Sequence, residues 1–464
     1  MSLPRACGVL LHPTSLPGPQ GCGDLGAGAR RFVDWLADAG QRWWQVLPLG
    51  GVGPGNSPYA STSAFAGNPL LVDLEALAQQ GWLRPDELLP PVPFSAARVD
   101  YPSTAVWRLS RLEIAADRFM RQADSASRSD FDAFCARHAA WLEDHALFMA
   151  LDEAQAGGPW QRWPDGLARR DPAALARARA RLAPRLMFRR FVQWCFDRQW
   201  TALRAYARQR GVRLFGDAPI FVAAHSADAW AQQPLFELDA AGDPVAVAGV
   251  PPDYFSPTGQ RWGNPLYRWP AHAADDHAWW VARVRHELEL FESMERALGT
   301  LPIVAEDLGV ITPDVDALRR RFRFPGMRVL QFAWSGDADN PHLPHNLATD
   351  TVVYTGTHDN DTTVGWWAGA DAQERRHLCD YLGTDGGEIH WDLVRAACAS
   401  AADTAIIPLQ DLLGLDGRHR MNTPGLAAGC WEWRSEPQQL TDDIAQRLAG
   451  LCSAHRRDGM PLPD

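Results

Sequence analysis

Ile303-Val304-Ala305-Glu306-Asp307-Leu308-Gly309 decides the reading of this chain. The apolar run from Leu301 to Ala305 predicts a buried strand that ends in two carboxylates and a glycine. In an α/β barrel the chemistry sits at the C-terminal ends of buried parallel strands. The pattern recurs on both sides. Downstream, Thr351-Val352-Val353-Tyr354 runs into Thr355-Gly356-Thr357-His358-Asp359-Asn360-Asp361, and upstream Arg213-Leu214-Phe215 runs into Gly216-Asp217-Ala218-Pro219-Ile220. Three strand-like runs, each delivering a carboxylate, predict one acidic site assembled from distant parts of the chain.

Working outward, Gly8-Val9-Leu10-Leu11-His12 and Arg42 to Leu49 read as two further strands. Between them Asp24 is expected to cap a helix whose apolar positions Phe32, Leu36 and Ala39 recur at helical spacing, with Gly40 as its stop. So short a βαβ unit implies parallel pairing. The expected barrel strands cover 8–12, 42–48, 213–221, 301–307, 327–333, 351–357 and 404–410. That is one fewer than a (β/α)8 barrel needs. The empty slot falls between Asp217 and Glu306, where only Val245-Ala246-Val247-Ala248 looks extended. The fold class expected is therefore α/β, a (β/α)8 TIM-type barrel with helical insertions, lacking its fourth strand. Residues 1–464 read as a single catalytic barrel domain and 70–210 as a mostly helical insertion, with helices over Pro172 to Arg181 and Leu186 to Arg208. Residues 240–268 read as a ligand-covering loop, because Gly249 to Pro265 is long, irregular and rich in aromatics and amides. Helices are also expected from about Asp276 to Leu298 and from Thr441 to Ala454.

Composition narrows the function classes. A net charge of −11 argues against nucleic-acid and membrane-surface partners. No apolar run reaches the roughly eighteen residues of a membrane helix, and Met1-Ser2-Leu3-Pro4-Arg5-Ala6 lacks a signal-peptide core. A cytoplasmic protein is expected. Its 8 cysteines are scattered without a Cys-x-x-Cys pair and read as reduced, mostly buried thiols. The histidines show no His-Glu-x-x-His, so no metal is expected. Gly50-Gly51-Val52-Gly53-Pro54-Gly55-Asn56-Ser57-Pro58-Tyr59 lacks the third glycine of a dinucleotide fingerprint. It can instead bring backbone and the Tyr59 ring close to a ligand. The 21 tryptophans against 7 tyrosines tilt the reading toward a glycan cleft, since indole offers a large flat apolar face beside one N–H donor. Most individual tryptophans, such as Trp194, Trp200 and Trp279-Trp280, are still read as packing.

These motifs carry a resemblance. Gly55 to Tyr59, Gly216 to Phe221, Pro251 to Pro265, Ala305 to Gly309, Pro325 to Arg328, Thr355 to Thr362 and Arg420 to Gly425 follow one another as in the amylomaltase family (4-α-glucanotransferase, disproportionating enzyme), related to the α-amylases. The chain resembles that family nearly end to end. The resemblance implies a cytosolic enzyme without cofactor. It would transfer α-1,4-glucan segments between maltooligosaccharides by a retaining mechanism, with those glucans as its partners. On the resemblance Glu306 matches the general acid/base and Asp359 the carboxylate that stabilises the transition state. Asp217 and His358 match sugar-contacting positions, Tyr59, Tyr254, Phe255 and Trp262 aromatic ligand-lining positions, and Ser57, Asp253 and Asn422 polar ones. Asp307, adjoining Glu306, is placed with the substrate-binding group. Retaining transfer pairs an acid with a carboxylate nucleophile about 5 Å away.

The chain departs from the family at one place. The family's nucleophile is an aspartate in an Arg-x-Asp-His segment on the fourth strand. Here Glu289-Leu290-Phe291-Glu292 runs straight into Ser293-Met294-Glu295-Arg296, and no aspartate lies between Asp276 and Asp307. The strand count reaches the same conclusion independently. Three readings follow: an active glucanotransferase whose sequence here lacks an internal segment or whose natural form is longer, a catalytically inactive α-glucan-binding homologue, or rescue by Asp217 or Asp307. Rescue forfeits near-attack geometry, because an ångström of misplacement is costly. Loss of a strand also exposes two sheet edges, which predicts a marginal fold in which Glu292 and Ser293 join two helices.

Overall fold

The computed structural model describes residues 3–253, 256–291, 303–309 and 311–458. Among them the strands are β1 Ala6–Leu10, β2 Trp43–Gln45, β3 Arg213–Phe215, β4 Val247–Val250, β5 Gln260–Pro265, β6 Gly326–Val329, β7 Thr351–Tyr354 and β8 Thr404–Pro408. Six of them form one parallel sheet in the order β3-β2-β1-β8-β7-β6.

The central strands are buried on both faces, as near-continuous apolar runs require. Alternation assigns the two faces. Val9, Trp44, Val353, Ala405 and Ile407 pack with helix residues such as Phe32, Leu36, Leu393 and Leu448. Leu10, Trp43, Val352, Tyr354 and Ile406 pack together on the other side, beneath the strand ends. Gly8 permits the close approach of β1 to β2, since a Cβ there would lie 2.4 Å from that of Trp43.

The helical wrapping includes Ala27–Asp38, Tyr101–Gln122, Ser125–Arg137, Ala139–Ala154, Pro172–Arg181 and Ala183–Gln209. Helix Pro172–Arg181 has the expected bounds and is capped by the Asp171 side chain. Helix Ala183–Gln209 buries Phe191, Trp194 and Trp200, with Trp194 meeting Trp82, Phe119 and Phe131. Trp194 and Trp200 are thus packing residues, as read from the sequence. Among the described residues no helix is long and apolar enough to cross a membrane.

Several expectations are corrected. The strands stop earlier than 12, 48, 221, 333, 357 and 410, because glycine, proline and polar residues turn the chain soon after the apolar run. Helix Ala27–Asp38 takes Gly26 as its cap, while Asp24 accepts from the Gly26 N–H and pairs with Arg108. Val245 to Ala248 contributes to β4, which pairs antiparallel with β5 outside the main sheet. The segment 303–308 is not a regular strand. Ala305 N donates to Pro325 O at 2.9 Å, but Met327 N, which would continue a ladder, donates to the Asp307 carboxylate instead. Residues 301 and 302, the end of the helix expected to reach Leu298 and the Glu292–Ser293 joint lie outside the described residues; that helix is seen as Ala278–Phe291. Among the described residues no strand fills the slot between β3 and Glu306.

Candidate active site

The site forms where the parallel strands end. Asp217 lies two residues beyond β3, and His358 and Asp359 follow β7. Arg420 and Asn422 come from the loop after β8, and Tyr59 from the glycine-rich loop after β2. The sequence folds this way locally because each apolar run ends in small and polar residues that leave the sheet. Thr355 is tied to the buried Asp411 at 2.5 Å, and Asn360 Oδ1 accepts from Thr357 N at 2.8 Å, so the His358–Asp359 turn is held from below.

Asp359 is held by several groups. Its Oδ1 accepts from Asn422 Nδ2 at 2.6 Å and lies 3.4 Å from His358 Nε2. Its carbonyl accepts from Arg420 at 2.8 Å, and the same guanidinium donates to Asn422 O at 2.7 Å. Asn422 N closes the loop by donating to His358 O. On the other wall the Tyr59 hydroxyl donates to Asp217 Oδ2. The Tyr59 ring stacks on His358 with centroids 5.4 Å apart and 14° between planes. Trp431 closes this cluster, 5.8 Å from Tyr59 and 5.6 Å from His358.

Burial shifts two of these carboxyls upward. Desolvation among the surrounding walls pushes Glu306 up to about 7, Asp217 and Asp359 push the same way, and His358 opposes them. Burial likewise raises Asp217, against the pull of His358 and the Tyr59 hydrogen bond. Burial raises the Tyr59 phenol well above its ordinary value, so it remains a donor. A carboxyl poised near neutrality can donate a proton at pH 7.

The remaining expected residues fall in different places. Asp307 turns away from this cluster. It accepts from Met327 N at 2.7 Å, and its Oδ2 lies 3.1 Å from Arg328 and 3.5 Å from Arg319. Gly326 leaves room for that carboxylate, which a Cβ would meet at 2.6 Å. Ser57 accepts from the Tyr59 N–H at 3.3 Å and so orients the tyrosine. Asp253 accepts from Ser256 N within the β4–β5 connection. Trp262, on β5, is 48% exposed, with its ring 6.4 Å from Phe221. Tyr254 and Phe255 lie outside the described residues.

Sequence reasoning missed three residues. Arg420 stands in the family-like run Arg420 to Gly425 but carries no role in the sequence reading. Trp431 adopts φ 67°, a left-handed conformation costly for a bulky side chain, and such strain clusters at functional sites. Glu287, on helix Ala278–Phe291, lines the cavity beside Tyr59, Asp217 and Arg283, and burial pushes it up to about 7. A glutamate in the apolar phase of a helical run was the signal available for it.

A parallel α/β sheet wrapped by helices, with carboxylates gathered at the strand ends, defines the class of barrel-type α/β enzymes. Residues 11–295 and 287–439 match the family described as 4-alpha-glucanotransferase, and the two stretches share 287–295. The chain is 46% identical to the 4-alpha-glucanotransferase of Thermus thermophilus, covering 98% of this chain and 100% of that protein. It is 45% identical to that of Synechocystis sp., covering 98% of each. The amylomaltase of Streptococcus agalactiae, solved in complex with acarbose, superposes with a TM-score of 0.93 at 32% identity over 98% of this chain and 99% of that one. This chain belongs to the 4-alpha-glucanotransferase family, whose members are transferase enzymes. The Thermus alignment runs over 503 residues, more than the 464 present here, so that relative carries residues without counterparts in this chain.

Proposed function

We propose that the protein transfers α-1,4-glucan segments between maltooligosaccharides by a retaining mechanism, as a cytoplasmic enzyme without cofactor. Glu306 is the acid that protonates the leaving glycosidic oxygen and the base that later activates the acceptor hydroxyl. Asp359, oriented by Asn422 and Arg420, stabilises positive charge at the anomeric carbon. Asp217, His358 and Tyr59 hold the sugar ring beside the scissile bond. The loop 240–268, with Asp253, Tyr254, Phe255 and Trp262, covers the glucan, and Ser57 fixes the tyrosine platform. Asp307 positions Glu306. The single observation that supports this reading is the electrostatic coupling of Glu306 to Asp217 and Asp359, which follow β3 and β7, with burial holding Glu306 near neutrality.

A second reading rests on a specific observation: the family match divides at 287–295, where the nucleophile-bearing strand is expected, and no aspartate lies between Asp276 and Asp307. On it this 464-residue form binds α-glucan without turning it over. Incubation with maltotriose, with the products separated, decides between the two. Glucose together with a ladder of longer maltooligosaccharides establishes transfer. Unchanged maltotriose with calorimetric binding of maltoheptaose establishes the binder. Neither turnover nor binding refutes both.

A further inference from the structure

Three cysteines far apart in the sequence meet at the N-terminal end of the sheet, opposite the carboxylates. Cys7 lies on β1, Cys398 near the end of helix Ile389–Ala399 and Cys452 near the end of helix Asp442–Ala454. All three are fully buried and their sulfurs lie within 4.8 Å of one another, with Cys7 Sγ 3.6 Å from Cys398 Sγ. The fully buried Gln41 amide donates to Cys452 Sγ at 3.2 Å and to Ala39 O at 2.8 Å, while its Oε1 has no partner. Arg457, also fully buried, donates to Cys398 O at 2.6 Å and to Ala6 O at 3.3 Å, placing its charge beside the three sulfurs. Arg5 reaches the same turn through Ser400 O at 3.1 Å and Ala402 O at 3.2 Å.

We propose that Cys7, Cys398 and Cys452 form a three-sulfur site for one soft monovalent metal ion of the Cu(I) class. Metal–sulfur bonds of about 2.3 Å in a trigonal plane separate the sulfurs by about 4 Å, which the cluster meets with small side-chain movements. Thiolate ligands select soft ions. Zinc prefers four ligands, and among the described residues no fourth cysteine, histidine or carboxylate joins the three. Loading breaks three S–H bonds, forms three metal–sulfur bonds and releases three protons to solvent. Three thiolates around one monovalent cation leave two negative charges, matched by the guanidiniums of Arg457 and Arg5. The Gln41 N–H is placed to donate to a thiolate on Cys452, as outer-shell donors do at metal sites. Because helix Asp442–Ala454 carries one ligand, its local opening admits the ion, and binding ties that helix to β1. The site is structural and leaves the cleft at the opposite strand ends unchanged.

The test uses the full chain, reduced and oxygen-free, titrated with Cu(I) buffered by a colorimetric chelator. One equivalent is expected to leave the chelator, with X-ray absorption giving three sulfurs at about 2.3 Å and a higher melting temperature. Cys398→Ser and Cys452→Ala each remove the tight equivalent and the melting shift, while Cys195→Ser, buried elsewhere, keeps both. Failure of the wild-type chain to take Cu(I), a two-sulfur shell, or unchanged uptake by Cys398→Ser overturns the proposal. Retention of Zn(II) in preference to Cu(I) overturns the choice of metal class and with it the trigonal site.

Discussion

Replacing Glu287 by glutamine probes the interior beside the site. Glu287 is mostly enclosed, and burial raises its carboxyl from 4.5 to about 7, with Asp217 adding to the rise and Arg283 opposing it. Between those values the native state holds a proton that the unfolded chain has lost. Stability therefore falls as pH rises: the cost is absent below about 4.5 and complete above about 7. At 1.36 kcal/mol per pH unit the interval converts to about 3 kcal/mol. Glutamine copies the protonated carboxyl at every pH and removes the cost. Glu287→Gln is expected to raise stability in urea by up to about 3 kcal/mol at pH 8 and to leave it nearly unchanged at pH 4.5. Tryptophan fluorescence reports the transition. Equal shifts at both pH values, or a loss at pH 8, would refute the burial argument.

Asp307→Asn leaves Arg319 and Arg328 without their enclosed anion and should destabilise the fold by about 3 kcal/mol in the same urea assay. Asn422→Ala frees Asp359 Oδ1 and is expected to weaken maltoheptaose binding by about tenfold in calorimetry, at little cost in melting temperature. Trp262→Ala, at an exposed ring, should leave melting unchanged and lower glucan affinity by a factor of about ten. With Glu306 held at about 7, transfer should decline as pH rises through 7. Glu306→Gln should lower the rate by about 10²–10⁴, measured as glucose release from maltotriose.

What could be read from the sequence was local. The apolar runs at β1, β7 and β8 announced their strands because every residue in them is buried, and the polar residues just beyond announced the turns. His358, Asp359 and Asp217 were visible for that reason. Asp307 was misleading: a carboxylate beside Glu306 looks like a site residue, but its partners Arg319 and Arg328 stand on later elements and only folding brings them together. Trp431 carried no pattern, since its left-handed backbone is imposed by the loop after β8 and by the hydrogen bond from its N–H to Met421 O. The thiol cluster escaped because cysteine spacing rules see short intervals, and these three sulfurs come from opposite ends of the chain.

The two walls of the cleft differ in how they are supported. Asp217 and Tyr59 lie on the β1–β2–β3 side, and Asp359 and Asn422 lie beyond the ends of β7 and β8, strands that are all held by ladders. Among the described residues, the segment carrying Glu306 is tied by a backbone bond from Ala305 to Pro325, the residue before β6. Its neighbour Asp307 supplies what the ladder does not, reaching Met327 N and two guanidiniums. A carboxylate with three partners is a stiffer tether than one more strand hydrogen bond, because each contact is charge-assisted and two come from planar guanidiniums. The acid thus keeps its place through a neighbouring side chain. A retaining enzyme needs both carboxylates at fixed separation. Among the described residues no strand flanks Glu306 on the side toward β3, so on either reading of the activity the positioning of the acid rests on Asp307.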